Sequence, residues 1–139
     1  MIVPHSLHER SVFVDTSAFY ALLDRSDRWH SKARQGFEQF AQERRALFTS
    51  NLVVAETYVL VRHALGHAVA IRWLDSLDMN LAFQDEAEHE QVRVLLARYA
   101  DKDFSYADAA SFVCMEQLSI PVAFTFDDHF RHYGVTVFP

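Results

Sequence analysis

The sequence predicts an α/β fold built on a mostly parallel sheet of about five short strands. Three observations carry this. Short apolar runs of strand length alternate along the chain with longer segments of helical period, the pattern of β–α–β units. The stretch Ser11–Leu23, SVFVDTSAFYALL, reads as a buried strand that ends in an acid and passes directly into a helix. Finally, 139 residues with 50% hydrophobic content and 12 Phe suit one compact domain with its own core. No internal repeat, low-complexity tract or Pro/Gly-rich linker divides the chain, so a single domain over residues 1–139 is expected.

The elements follow in order. Ser11–Val14 is the first strand, and Thr16 and Ser17 supply helix-start chemistry for the apolar run that reaches Leu23. Asp24-Arg25-Ser26-Asp27 is a polar break. A helix from about His30 to Arg44 carries an apolar stripe of Ala33, Phe37, Phe40 and Ala41. Ala46–Thr49 is a short strand, and Ser50 or Asn51 caps a helix so apolar, from Leu52 to Val61, that it is expected to be largely buried. Gly66 ends it; a further helix over about His67–Leu77 and a small strand near Leu81–Phe83 come next. Asp85 opens another helix, with Ala87, Val92, Leu95, Leu96 and Tyr99 facing inward, and Ser105 caps one that runs to about Leu118. Ile120–Thr125 is a strand, a short turn surrounds His129-Phe130, and Val135–Phe138 is the last strand.

Composition narrows the function classes. A net charge of -6 argues against a broadly basic nucleic-acid-binding surface, although acids that hold divalent cations would invert the charge locally. The single cysteine, Cys114, permits no intramolecular bridge and reads as a core thiol, which fits a reducing, cytoplasmic compartment. No run approaches the ~20 apolar residues of a membrane span, and the N-terminus lacks the apolar core of a signal peptide. The three glycines, Gly36, Gly66 and Gly134, form neither a dinucleotide-binding nor a P-loop motif. Serine-hydrolase and zinc-protease signatures are likewise absent, and the eight histidines read mainly as surface residues.

The acids hold more information. Asp15 lies at the carboxyl end of a buried strand, where open α/β sheets collect ligands. It is a possible cap for the next helix, but Thr16 and Ser17 stand ready for that task and leave its carboxylate free. Glu56 is the only charge between Asn51 and Val61, so on a buried helix it must be paired, protonated or bound to a cation. Asp108 stands three residues after Ser105, the spacing of a capping box, which is its bland reading. Asp127 follows a strand as Asp15 does, with Asp128 beside it as an alternative, and Asp103 is an outside candidate in a loop. Together they describe hard oxygen ligands for Mg²⁺ or Mn²⁺. Arg25, Arg28, Lys32, Arg62, Lys102 and Arg131 lie near element ends and are candidates to meet the phosphates of an anionic ligand.

Four segments taken together resemble the PIN-domain nucleases, in particular the small VapC-type toxins of toxin–antitoxin pairs. They are Val12–Ser17, Val54-Ala55-Glu56-Thr57, Phe104–Ala109, and Phe124–Asp127 with His129-Phe130 after it, in the family's order and over almost the whole chain. The resemblance implies a three-layer α/β/α fold and an acidic Mg²⁺ or Mn²⁺ site that cleaves RNA, which makes RNA the anionic ligand whose phosphates those cations would meet. Carried over residue by residue, that site is Asp15, Glu56, Asp108 and Asp127, with Thr16 or Ser17 as a supporting hydroxyl. It also implies an antitoxin partner that blocks the site, and a homodimer. Two rivals are a phosphatase or phosphotransferase with Asp15 as nucleophile, and a non-catalytic PIN-like binding module. The first wants an acid where this chain has Ser17.

Overall fold

The computed structural model describes residues 10–139. Five strands form one sheet: β1 (Ser11–Val14), β2 (Ala46–Ser50), β3 (Asn80–Ala82), β4 (Val122–Phe124) and β5 (Thr136–Phe138). Their order is β3-β2-β1-β4-β5, and every neighbouring pair is parallel. The central strand β1 pairs on one side with β2, Val12 beside Leu47, and on the other with β4, Phe13 beside Ala123. All four of its residues are buried, as expected of a strand covered on both faces.

Among the described residues, seven helices cover the sheet: α1 (Thr16–Leu23), α2 (His30–Gln42), α3 (Asn51–Leu65), α4 (His67–Ser76), α5 (Glu86–Arg98), α6 (Tyr106–Leu118) and α7 (Asp128–Tyr133). The chain steps one way from β1 to β3, then crosses back to β4 and continues to β5. Right-handed crossovers therefore put α1–α4 on one face and α5–α7 on the other, which makes three layers. Aromatic packing fills both sides. Phe40 of α2 meets Phe124 edge-on at 5.4 Å, and Phe112 of α6 meets Phe130 of α7 edge-on at 5.0 Å. Gly36 lets α2 lie close to the sheet, because a Cβ there would sit 2.6 Å from the Phe124 ring.

Three local readings need correction. The strand expected over Ile120–Thr125 is only Val122–Phe124, preceded by a left-handed residue at Ser119 and by Pro121, which has no N–H to give a ladder. The turn around His129-Phe130 is the short helix α7, capped by Asp127. Helix α3 is not buried all round: it buries only Val53, Thr57 and Val61, a single stripe at four-residue spacing, and leaves Val59 66% exposed. Ala41 and Ala87 also face solvent. Among the described residues, no helix is long and apolar enough to cross a membrane.

Candidate active site

The strand order reverses between β1 and β4, and at such a switch point two successive loops leave the sheet in opposite directions and open a crevice. Asp15 leaves β1 there, and Thr125 and Asp127 follow β4. Asp15 occupies the N-cap position of α1 but makes no capping hydrogen bond. Its carboxylate instead accepts from the Thr125 hydroxyl at 2.8 Å and the Ser17 hydroxyl at 3.1 Å. Ser17 is fixed in turn by the Phe126 N–H at 2.9 Å, and Thr125 accepts the Asp127 N–H at 3.0 Å. The two hydroxyls thus tie the end of β1 to the turn after β4.

Asp15 is 6% exposed. Burial pushes its carboxyl up to about 6 from an ordinary 3.8; the bonds from Thr125, Ser17 and the backbone of Thr16 oppose this, and the like charge of Glu56 adds to it. The hydrogen-bond partners that hold this buried carboxylate are hydroxyls and backbone, and the neighbouring charge that acts on it is another acid.

A second group of ligands stands beside this one. Ser105 and Asp108 form the full capping box of α6, Ser105 Oγ accepting the Asp108 N–H and an Asp108 oxygen accepting the Ser105 N–H, each at 3.0 Å. Asp127 caps α7 by accepting the His129 N–H at 2.9 Å. The His129 ring joins the two acids: Nδ1 lies 2.8 Å from Asp108 Oδ2 and 3.5 Å from Asp127 Oδ1. Partial burial works to lower the imidazole, but the Asp108 bond and the charges of Asp127, Asp108 and Asp103 outweigh it and hold it above its ordinary value.

The remaining candidates divide. Glu56 is solvent-exposed on α3, so the cost of burying a charge does not apply to it; it is near enough to act on Asp15. Thr16 is buried, and its hydroxyl accepts from Thr57 at 3.0 Å and points to the Val53 carbonyl, which docks α1 on α3 and turns it away from Asp15. Ser17 is therefore the supporting hydroxyl. Asp128 projects to solvent 3.7 Å from Arg131, so it is Asp127 that joins the acidic group. Asp103 is exposed and reaches the group only through its charge on His129. The cations Arg25, Arg28, Lys32, Arg62, Lys102 and Arg131 are all exposed. Arg28 and Lys32 lie over the Trp29 ring at 4.7 and 5.4 Å, and Trp29 stacks on Phe126, the residue whose N–H holds Ser17.

Thr125 and His129 are the residues that sequence reasoning missed. The only local signal for Thr125 was a hydroxyl two places before a helix-capping acid, and for His129 a ring two places after that acid. Both point into the site only once β4 is laid beside β1.

The donor set suits a divalent cation. Among the described residues, one group of three side chains of types able to bind metal offers atoms within 4.8 Å of one another: Asp108, Asp127 and His129. Beside it stands the buried Asp15 carboxylate, held by hydroxyls, with a second carboxylate nearby. Carboxylate oxygens in the majority favour a hard ion such as Mg²⁺ or Mn²⁺ over zinc.

Known proteins resemble this chain in sequence and in fold. The family described as PIN domain matches residues 12–135. The chain is 31% identical over 129 residues to the 23S rRNA-specific endonuclease VapC20 of Mycobacterium tuberculosis, covering 88% of this chain and 94% of that protein. The crystal structure of that VapC20, described as a sarcin–ricin loop cleaving toxin, superposes with a TM-score of 0.82 at 30% identity, over 90% of this chain and 96% of the other. FitAcB from Neisseria gonorrhoeae shares the fold, with a TM-score of 0.66 at 20% identity over 92% and 96% of the two chains.

Proposed function

The chain belongs to the PIN-domain family, and on that premise we propose that it is a metal-dependent endoribonuclease, the toxin of a type II toxin–antitoxin pair, acting in the cytoplasm. The observation that carries this is the buried Asp15 carboxylate at the β1/β4 switch point, held by Thr125 and Ser17, with Glu56 rather than a cation acting on it. Like charge concentrated in a crevice is relieved when a cation enters it. Asp15, Glu56, Asp108 and Asp127 would hold Mg²⁺ or Mn²⁺.

When bound, one or two such ions lower the pKa of a coordinated water and stabilise charge on the attacking and leaving oxygens of a phosphodiester. The chain's own groups do the rest. Thr125 and Ser17 fix the rotation of Asp15 by holding one oxygen of its carboxylate. The capping box fixes Asp108, and the cap of α7 fixes Asp127. One of the acids accepts the proton of the attacking water. Cleavage of the bond to the 3′ oxygen leaves a 5′-phosphate and a 3′-hydroxyl.

The RNA must approach a chain of net charge -6. Arg28 and Lys32 suit the task, because their seats on Trp29 link them, through Phe126, to Ser17. Arg131 suits it less, being drawn to Asp128 and to the Pro139 carbonyl. The RNA named for the Mycobacterium tuberculosis relative, a ribosomal loop, is the first substrate to try. A cognate antitoxin that covers the acids and a homodimer complete the reading.

The test is cleavage of a sarcin–ricin loop RNA, and of a mixed single-stranded pool, with Mg²⁺, Mn²⁺ or EDTA, beside an Asp15→Asn control. Cuts that need metal, leave 5′-phosphates and vanish in the variant are expected. Cleavage that survives both EDTA and the substitution would overturn the assignment.

A further inference from the structure

His129 has a place in this site that no ligand rule assigns to it. Its backbone N–H holds Asp127 at 2.9 Å, and its ring reaches Asp108 at 2.8 Å, so one residue grips two acids from different elements. A carboxylate oxygen only accepts, and Asp108 Oδ2 already accepts the Ser105 N–H, so Nδ1 carries the hydrogen and donates it. That direction takes Nδ1 away from metal ligation, and the ring cannot swing freely. Phe104 packs edge-on against it, centroids 5.9 Å apart, and the next residue, Phe130, is fully buried.

Asp108 stands on the first turn of α6 and Asp127 in the turn after β4, and the described hydrogen bonds join the two acids only through His129. Two carboxylates held on separate elements repel, and drift of either changes the gap that a cation must bridge. We propose that His129 is a positioning residue that, by donating Nδ1–H to Asp108 while its backbone holds Asp127, sets the separation at which the two acids take a divalent cation. The inference rests on the metal-site reading given above. Hydrogen-bonded supports of metal-binding carboxylates commonly account for about 10–100-fold in metal affinity.

The test uses the full chain with His129→Asn and His129→Leu. Asparagine places its amide nitrogen near the position of Nδ1 and keeps the donor; leucine fills a similar volume without one. Mn²⁺ affinity is read by calorimetry in the absence of RNA, the bound ion by electron paramagnetic resonance, and the fold by thermal melting. The leucine variant should bind Mn²⁺ about 10–100-fold more weakly, the asparagine variant within about threefold of the parent, and both should melt cooperatively. Equal loss in both variants, or none in the leucine variant, would overturn the proposal. So would a nitrogen coupling to Mn²⁺ that disappears in the asparagine variant, since His129 would then be a ligand. If leucine fails to fold, the asparagine variant and that coupling still decide. Failure of the unaltered protein to bind Mn²⁺ would overturn the metal-site reading as well, so the two failures are told apart.

Discussion

Replacing Asp15 by asparagine separates what the site costs the fold from what it does. Burial raises the Asp15 carboxyl from 3.8 to about 6, so between those values the folded chain keeps a proton that the unfolded chain has released. The contribution to metal-free stability is then fully present below about pH 4, falls as the pH rises toward about 6, and stays low above it. Each pH unit is worth about 1.4 kcal/mol, so the ionised carboxylate destabilises the metal-free fold by roughly 3 kcal/mol at neutral pH. At 6% exposure, solvent screening removes little of this. Asparagine has the same shape, carries no charge and keeps an oxygen for the Thr125 and Ser17 hydroxyls, but its amide needs an acceptor and loses part of the gain. A net stabilisation of about 1–3 kcal/mol follows, or a rise in Tm of about 3–10 °C in EDTA near neutral pH. The gap should close as the pH is lowered toward about 4. Mn²⁺ at about a thousand times the parent's Kd should reverse the order, because the parent alone then gains about 4.1 kcal/mol. An Asp15→Asn protein that melts below the parent in EDTA at neutral pH would refute the reasoning.

Three further outcomes follow from the geometry. Thr125→Val removes the 2.8 Å bond to Asp15 and orphans the Asp127 N–H; it should lose about 1–3 kcal/mol in denaturant unfolding. It should also move Mn²⁺ binding to higher pH, since the lost bond favoured the ionised acid, and Thr125→Ser should restore both. Gly36→Ala would set a Cβ 2.6 Å from the Phe124 ring and 3.0 Å from that of Phe138; the unfolding free energy from urea titration should fall by about 1–3 kcal/mol despite alanine's better helix propensity, and a more stable variant would show that α2 is free to move outward. Cys114 is 4% exposed with its thiol pushed up to about 12 by burial, so an aromatic disulfide reagent should label it roughly a hundredfold more slowly in the native protein than in the unfolded one.

Much of this was legible in the chain because the signals were local. A strand of four buried residues followed by an acid, Ser11–Asp15, states both the central strand and the residue at its mouth. The S-x-x-D spacing at Ser105 gave the start of α6 and the backbone setting of Asp108 together. Glu56 was misjudged for a physical reason. Counting apolar residues on α3 says how much could be buried, not how many neighbours exist to bury it. The structure buries the Val53–Thr57–Val61 stripe and packs Leu52, Val54 and Tyr58 partly against the core, while Glu56, Val59 and Leu60 remain outside.

The parts of the site that escaped sequence reasoning share one cause. Thr125 reaches Asp15 across 110 positions because β4 pairs with β1 rather than extending the sheet beyond β3, and His129 reaches Asp108 across 21 because α7 folds back beside α6. Alternating strands and helices are equally compatible with either order. Only the observed one reverses direction beside β1, and that reversal opens the crevice where a buried acid can be both supported and reached. An acid at a strand end is thus a local property, whereas its hydroxyl and imidazole supports belong to the topology. The same distinction tells which substitutions test the fold and which test the site. A change at Gly36 disturbs how α2 meets the sheet and leaves the acids' hydrogen bonds in place, while changes at Thr125 and His129 act on the bonds that hold the acids.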